Sequence, residues 1–456
     1  MKLSRRTVVT GLAMAGAAPL AFASGQTAAA APSPNSHPSL SRADLQKAAE
    51  SLLTYFRGTA PQLLRPAEGA LKYPSIAPSL PGKQYSTSLW DWDTYWTARG
   101  LFRFANLTHD QALHTKIGEH AIGSLKNFFE AQSAQGRMPI MIDVKHSDLF
   151  GSLQDAAPNF RNQAKPVFGQ LALLIADETK SVDWLTPNFD RLIRFYDSWV
   201  LGNQSSTGLL VWGDDVAIGN DNDPTTFGRP FFSSANLLLN CLFYQDLTAA
   251  AELARRLNRI SDQQRLTAQA QSLAEQIRKL CWDSRDSFYY TVDVQCIDRR
   301  AELIPTVKRG MGMSWQALPL RIQTFTGFLP LWCNVAPRDH ATALVHTNYL
   351  ADDRFRAPFG VRSLSSRETM YSMDFSSNPS NWLGPVWIIV NYFAWKALTN
   401  TGFQQEADAL RDKTVHLLTA DLATNGSLNE YYHPDTGAAL SHKGFMDWNL
   451  LVLEMV

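Results

Sequence analysis

Two short acidic segments, far apart in a chain of 456 residues, place carboxylates beside aromatic rings in loops punctuated by Gly and Pro. The first runs Val211-Trp212-Gly213-Asp214-Asp215, continues through Gly219-Asn220-Asp221-Asn222-Asp223-Pro224 and closes on Gly228-Arg229-Pro230. The second runs Asn429-Glu430-Tyr431-Tyr432-His433-Pro434-Asp435-Thr436-Gly437. Splitting a glycosidic bond takes two facing carboxyl groups, one acid and one base or nucleophile. Aromatic faces beside them hold the sugar ring. Each segment also has a plainer reading, since Asp, Asn, Gly and Pro are the ordinary residues of solvated turns. Asp221-Asn222-Asp223 further offers hard oxygens to a calcium ion, although the spacing and terminal Glu of an EF-hand are missing.

Two more segments share the acidic-aromatic character. Pro81-Gly82-Lys83-Gln84-Tyr85 leads into Trp90-Asp91-Trp92-Asp93-Thr94-Tyr95-Trp96, with three Trp and two Asp within seven residues. Asp91 and Asp93 could bond sugar hydroxyls while Trp90 and Trp92 stack on the ring; the structural alternative is a helix start, with Asp capping and Trp in the core. Asn381-Trp382-Leu383-Gly384-Pro385-Val386-Trp387 opens another helical stretch, where Gly-Pro is ordinary capping and the flanking Trp residues are not. Other chemistries find no pattern: no nucleophile elbow, no Walker loop, no dinucleotide fingerprint, and no pair of His residues at helical metal-binding spacing among the ten. No cofactor is called for.

The elements that must position these loops are helical. Leu113, Ile117, Ala121 and Leu125 form one apolar stripe; Phe189, Leu192, Ile193 and Tyr196 another; Phe403, Ala407, Leu410, Thr414 and Leu417 a third. Ser261-x-x-Gln264 reads as a capping box ahead of Leu266, Ala270, Leu273, Ile277 and Leu280. Roughly a dozen such segments against a few strand-like runs, such as Phe288 to Val292, predict an all-α domain from about residue 39 to 456. No repeat of solenoid period is visible. Long loops carrying acidic motifs are most economical where helix ends open on one shared mouth.

Charge excludes some partners. Lys plus Arg and Asp plus Glu are both 42, so no net field draws nucleic acid or a membrane surface. The 13 Trp residues are too many for a core alone and leave some for ring stacking. Residues 1–30 combine Arg5-Arg6, a short Gly/Ala-rich apolar run and small residues at Ala21 and Ala23, the pattern of a twin-arginine signal peptide. Residues 31–38 read as a Pro/Ser linker. A periplasmic or secreted location is expected, with no stable membrane span. Cys241, Cys281, Cys296 and Cys333 are few and widely spaced, which fits free thiols, a Cys281–Cys296 bridge being the alternative.

Taken in order, the four segments resemble glycoside hydrolase family 63 and its trehalase-like relatives, from Pro81 to the C-terminus. Pro81-Gly82 through Trp92-Asp93-Thr94-Tyr95 looks like the trehalase pattern P-G-G-R-F…W-D-x-Y. Gly219 to Pro224 is similar to S-G-x-D-N-S-P-R, and Gly384-Pro385-Val386-Trp387-Ile388 with Asn391-Tyr392 to R-G-P-I-W-I-N-V-N-Y. Glu430 to Gly437 is similar to E-x-Y-x-P-x-T-G, and Phe445 to Trp448 to the F-x-W that follows. The resemblance implies an (α/α)6 barrel, an inverting reaction, Asp221 as general acid and Glu430 as general base. Asp215 and Asp223 stand as alternative acids. Trp90, Trp92, Asp93, Trp212, Asp215, Arg229, Trp387 and Trp448 are the substrate-binding candidates, for a small α-linked glucoside or mannoside such as a trehalose-type disaccharide or a glycosylglycerate. A sugar isomerase or epimerase on the same barrel, and a non-catalytic glycan-binding protein, are the alternatives.

Overall fold

The computed structural model describes residues 41–153, 162–295, 304, 306, 316–376 and 379–456. The signal and linker segments read from residues 1–38 lie outside them. Eleven α-helices follow along the described chain: α1 (Arg42–Thr59), α2 (Asp91–Thr108), α3 (Gln111–Ala131), α4 (Phe168–Thr179), α5 (Phe189–Asn203), α6 (Leu237–Arg256), α7 (Ile260–Gln276), α8 (Leu329–Trp332), α9 (Arg338–Leu344), α10 (Ile388–Thr401) and α11 (Gln404–Asn425). Strands are two or three residues long and form small antiparallel pairs and one three-stranded patch.

Burial sorts the helices into two layers. Among the 18 residues of α2, 13 are buried. Helix α6 buries 14 of 20 and α10 buries 9 of 14. Helix α1 buries 2 of 18 and α7 buries 4 of 17, each along a single stripe. Helices apolar nearly all round must be enclosed, whereas one-striped helices lie outside with their polar faces in water. The partners match: α6 runs along α7, α10 along α11, and α2 packs on α3 and on the C-terminal 3-10 segment Trp448–Glu454. That last contact needs Gly100, because a Cβ there would stand 2.3 Å from Leu450 Cβ.

The predicted stripes are buried faces: Leu113, Ile117, Ala121 and Leu125 in α3, and Ala407, Leu410, Thr414 and Leu417 in α11. The capping box is not formed. Helix α7 starts at Ile260 with Arg259 as its N-cap, and exposed Ser261 is already inside the helix. The reason is the tight turn out of α6, in which Arg259 N–H bonds Ala254 O and Arg259 O accepts from Gln263 N, so the helix closes before Ser261 can cap it. True side-chain caps are Ser41, Asp110 and Asn236. Cys241, Cys281 and Cys333 are buried free thiols, and Cys296 falls outside the described residues. Among the described residues, no helix is long and apolar enough to cross a membrane.

Candidate active site

The first turns of α2 and the loops before α6 and after α11 meet around one cavity of about 350 Å³. Its floor is buried: Trp92, Asp93, Lys165, Glu430 and Trp448 are each at most 7% exposed. Its rim is half-exposed and includes Tyr85, Trp90, Phe150, Asp215 and Phe227. Asp221 also lines it. The two acidic loops therefore open on the same space.

Glu430 is held by a hairpin. The Pro434-Asp435-Thr436-Gly437 turn folds the chain back so that Tyr432 pairs with Ala439 and Glu430 N–H donates to Ser441 O at 3.1 Å. Asp421 of α11 anchors the base of this hairpin, accepting from Asn429 Nδ2 at 3.0 Å and from the Tyr432 hydroxyl at 2.9 Å. Trp448 Nε1 donates to Glu430 O at 3.2 Å, and Asn449 Nδ2 to Asn429 O at 2.8 Å. The Glu430 side chain bonds through Oε2 to the Ser441 hydroxyl at 3.2 Å and to His442 Nδ1. That bond raises the His442 pKa above the ordinary imidazole value, against the opposing effect of partial burial.

Asp221 is placed through its neighbours. Asn220 Nδ2 donates to Asp223 Oδ2 at 2.6 Å. Asn222 reaches across to the third motif, donating to Asn381 Oδ1 at 3.1 Å and accepting from Trp382 N at 2.7 Å. Gly219 sits at φ +99°, and a Cβ there would press within 3.1 Å of the Trp92 ring. Only glycine lets the loop lie against that indole. Asn162 clamps the preceding turn, accepting from Gly213 N at 2.9 Å and donating to Asp214 O and Val216 O at 3.0 Å.

The alternative acids separate by burial. Asp223 is fully enclosed, accepting from Thr225 N at 2.8 Å and Thr225 Oγ1 at 2.7 Å on Oδ1, and from Asn236 Nδ2 at 2.9 Å on Oδ2. Burial raises its pKa against these bonds, and it does not line the cavity. It ties its loop to the start of α6. Asp215 is on the rim, with Oδ2 accepting from Gly228 N at 2.7 Å.

Three binding candidates stand away from the cavity. Trp212 is core, edge-on to Trp199 at 5.9 Å. Arg229 is ion-paired with Asp293 on the small three-stranded patch. Trp387 is fully buried, stacked between Trp382 at 3.9 Å and Tyr431 at 4.5 Å, with Nε1 donating to Asn381 O at 2.9 Å. It supports the rings behind Glu430, including Trp448 at 5.5 Å, and does not face the substrate space. Such aromatic pairs add about 0.5–1.5 kcal/mol each beyond area burial.

Of the two N-terminal Asp residues, only Asp93 is on the cavity. Asp91 is fully buried, accepting from Lys165 Nζ at 2.9 Å, Lys165 N at 2.6 Å and Trp92 N at 2.7 Å. It does not line the cavity and is closed off from a sugar. Lys165 Nζ also donates to Ala217 O at 3.1 Å and lies 5.6 Å from the Trp92 ring centre, joining α2 to the Asp221 loop. Sequence reasoning missed Lys165, which has no motif around it. It also missed Ser441 and His442, whose position was encoded in the turn: pairing the strands on either side of Pro434–Gly437 sets Ser441 opposite Glu430.

Asp93 hydrogen-bonds the carboxyl of Asp447, which also accepts from Thr97 Oγ1 at 2.9 Å. Two carboxyls can share such a bond only through a proton. Burial raises both: Asp93 to about 7, with the nearby Asp91 charge adding to the shift and the Asp447 bond opposing it, and Asp447 well above the ordinary value, with the Asp93 charge adding to it. The folded state therefore binds more protons than the unfolded chain, and this part of stability is complete below the usual carboxylate range and lost as pH rises through about 7. Asp447→Asn keeps a donor to Asp93 and needs no proton. Its urea midpoint should fall less between about pH 5 and pH 8 than that of the native protein; an unchanged slope would deny the shared proton. Burial, then the carboxylates of Glu430, Asp93 and Asp221, push the Tyr85 hydroxyl upward, so it remains a neutral donor among them.

Residues 86–447 match the family model described as the mannosylglycerate hydrolase MGH1-like glycoside hydrolase domain. The chain belongs to that branch of glycoside hydrolase family 63. Among curated proteins, the MGH1-like chain is 31% identical over 116 residues to mannosylglycerate hydrolase MGH1 of Selaginella moellendorffii, covering 25% of this chain and 21% of that protein. It is 24% identical over 225 residues to the mannosylglycerate hydrolase of Rubrobacter radiotolerans, covering 49% and 44%. The matched region thus spans less than half the length of either relative. Among solved structures, the family 63 mannosylglycerate hydrolase of Thermus thermophilus in complex with glucose superposes with a TM-score of 0.62 at 18% identity, over 90% of this chain and 98% of that one. Neutral trehalase Nth1 of Saccharomyces cerevisiae gives 0.56 at 15% identity, over 84% and 74%. The two-layered helical fold is the (α/α)6 barrel of these MGH1-like and trehalase-type enzymes.

Proposed function

We propose that the protein is an exported, inverting α-glycosidase that hydrolyses a small α-linked glucoside or mannoside, with Asp221 as general acid and Glu430 as general base. The observation that carries this reading is that Asp221 and Glu430, from loops far apart in the chain, line one ring-walled cavity. Its volume of about 350 Å³ lies in the range of small-ligand sites. Mannosylglycerate hydrolases and a trehalase are among the similar proteins, which supports a small α-glycoside as the substrate class.

In the reaction, the sugar occupies the floor between Trp92, Asp93 and Trp448. Protonated Asp221 gives its proton to the glycosidic oxygen as the C1–O bond breaks. Glu430 takes a proton from a water whose oxygen attacks C1 from the opposite face, the arrangement of inverting enzymes, in which the carboxyls stand about 6.5–9.5 Å apart. The cycle closes when Glu430 releases its proton to solvent and Asp221 regains one. The test is a panel of α-linked disaccharides and glycosylglycerates, with proton NMR following the first anomer released. The glycone is expected first as its β-anomer, trehalose giving one β- and one α-glucose; a glycone released first as the α-anomer, or two α-glucoses from trehalose, would overturn inversion. Export rests on the Arg5-Arg6 signal, and replacing both by Lys should leave the protein in the cytoplasmic fraction. Processing and export undiminished in that variant would refute it.

A further inference from the structure

His442 has no role in the acid–base scheme, yet it touches the general base, Glu430. Its Nδ1 bonds Glu430 Oε2, and Ser441 Oγ lies 3.2 Å from the same oxygen and 2.8 Å from Nδ1. Both of these side-chain bonds to Glu430 thus fall on Oε2. The His442 ring is fixed on its other side by Tyr85, edge-on at 5.4 Å, from the loop that forms the cavity rim. The backbone reports the same constraint. His442 sits at φ 30° and Tyr85 at φ 68°, both in the left-handed region that non-glycine residues avoid. Such conformations persist only where surrounding contacts over-determine them, and they gather at functional sites.

We propose that His442 is a positioning residue for Glu430: together with Ser441 it immobilises Oε2, so that Oε1 is the oxygen presented to the attacking water. This rests on Glu430 being the general base. A carboxylate free to rotate would spend part of its time with neither oxygen aligned to water, and small misplacements of a reacting group are costly in rate. A hydrogen bond from a rigid ring at Nδ1 removes that freedom without occupying the second oxygen. Among the described residues, the groups facing the imidazole are Glu430 and Ser441 from the hairpin and Tyr85 from the rim loop, whose Lys83 packs along Gly444 two residues on. Glu430 is the carboxylate that holds the imidazolium, and the upward shift of His442 agrees with the contact.

His442→Ala should lower kcat about 10- to 100-fold with KM changed by less than about 3-fold. His442→Asn, whose amide N–H overlies Nδ1, should restore most of kcat. In a Glu430→Gln background, His442→Ala should cost no more than about 2-fold further, because residues acting through one another are non-additive. Wild-type kcat in His442→Ala, no rescue by Asn, or an undiminished loss in the Glu430→Gln background would each overturn the positioning role. Full activity of Glu430→Gln alone would instead sink the base assignment, which separates the two failures. If His442→Ala does not fold, NMR titration of the His442 ring serves in its place. Its midpoint should lie above the ordinary value of 6.5 in the native protein and drop in Glu430→Gln; identical midpoints would refute the contact.

Discussion

Glu430→Gln should reduce hydrolysis by about 10²–10⁴-fold while leaving the fold and thermal midpoint close to native, since general acid–base groups contribute on that scale. The amide retains the size of the side chain, and its NH2 or carbonyl can still meet Ser441 and His442, but it cannot take a proton from water. Asp221→Asn should fall in the same range for glycosides with poor leaving groups. It should lose much less for a substrate whose leaving group departs without protonation, because an acid is then not needed. That contrast distinguishes acid from base. Asp215→Asn should weaken binding more than turnover, since the rim position lies beside the substrate path. Asp223→Asn should chiefly destabilise the loop, since its carboxylate is spent on Thr225, Asn220 and Asn236. The kinetic constants of these four variants on two substrates, one with a poor leaving group and one whose leaving group needs no proton, check the assignment. If Asp215→Asn rather than Asp221→Asn showed the dependence on leaving group, the acid would be Asp215.

The largest loss of stability is expected from Lys165→Met. Lys165 and Asp91 form a fully enclosed ion pair, with 2% and 0% of their side chains exposed, and removing one partner leaves a buried carboxyl without its counter-charge. Breaking such pairs costs about 3–5 kcal/mol. Burial already pushes Asp91 upward against the pull of Lys165, so without the ammonium Asp91 would take up a proton, and the loss should grow as pH rises. The double variant Asp91→Asn with Lys165→Met should recover part of that loss, because a neutral amide is cheaper to bury than an unpaired charge. Denaturant midpoints for the two single variants and the double variant test this. A single variant within about 1 kcal/mol of native would show that the pair is not a mainstay of the site's floor. Activity should fall with stability, because the Lys165 bond to Ala217 O also restrains the loop that carries Asp221.

The helical scaffold was legible because burial of a stripe needs only local spacing. The Leu113–Leu125 and Ala407–Leu417 stripes could be read without knowing what they pack against, since a helix brings every third or fourth residue to one face. The α7 start was not legible: Ser261 has the right neighbours for a cap, but the turn from α6 closes the helix earlier. Local signals fail where a neighbouring element fixes the backbone first.

The site divides in the same way. Short motifs were enough to point to Asp93, Asp221, Glu430 and Trp448, because each stands in a loop or in the first turn of the helix that follows one, where Gly, Pro or an aromatic neighbour marks an unusual local structure. What each side chain faces was decided by packing. Trp387 and Trp448 look alike in sequence, yet one is stacked between two rings and the other is on the cavity. Asp91 and Asp93 are two residues apart at one helix start, and only packing gives the first to Lys165 and the second to the cavity. A barrel of striped helices, the family and two acidic loops could all be read from residue order, because periodicity and motif are properties of the chain. The convergence of those loops, the burial of Asp223 and Asp91, and the grip of His442 on Glu430 arise only once the chain is folded. They depend on contacts between residues that are distant in sequence, and in the case of His442 on a hairpin whose strands must pair before the two side chains can meet.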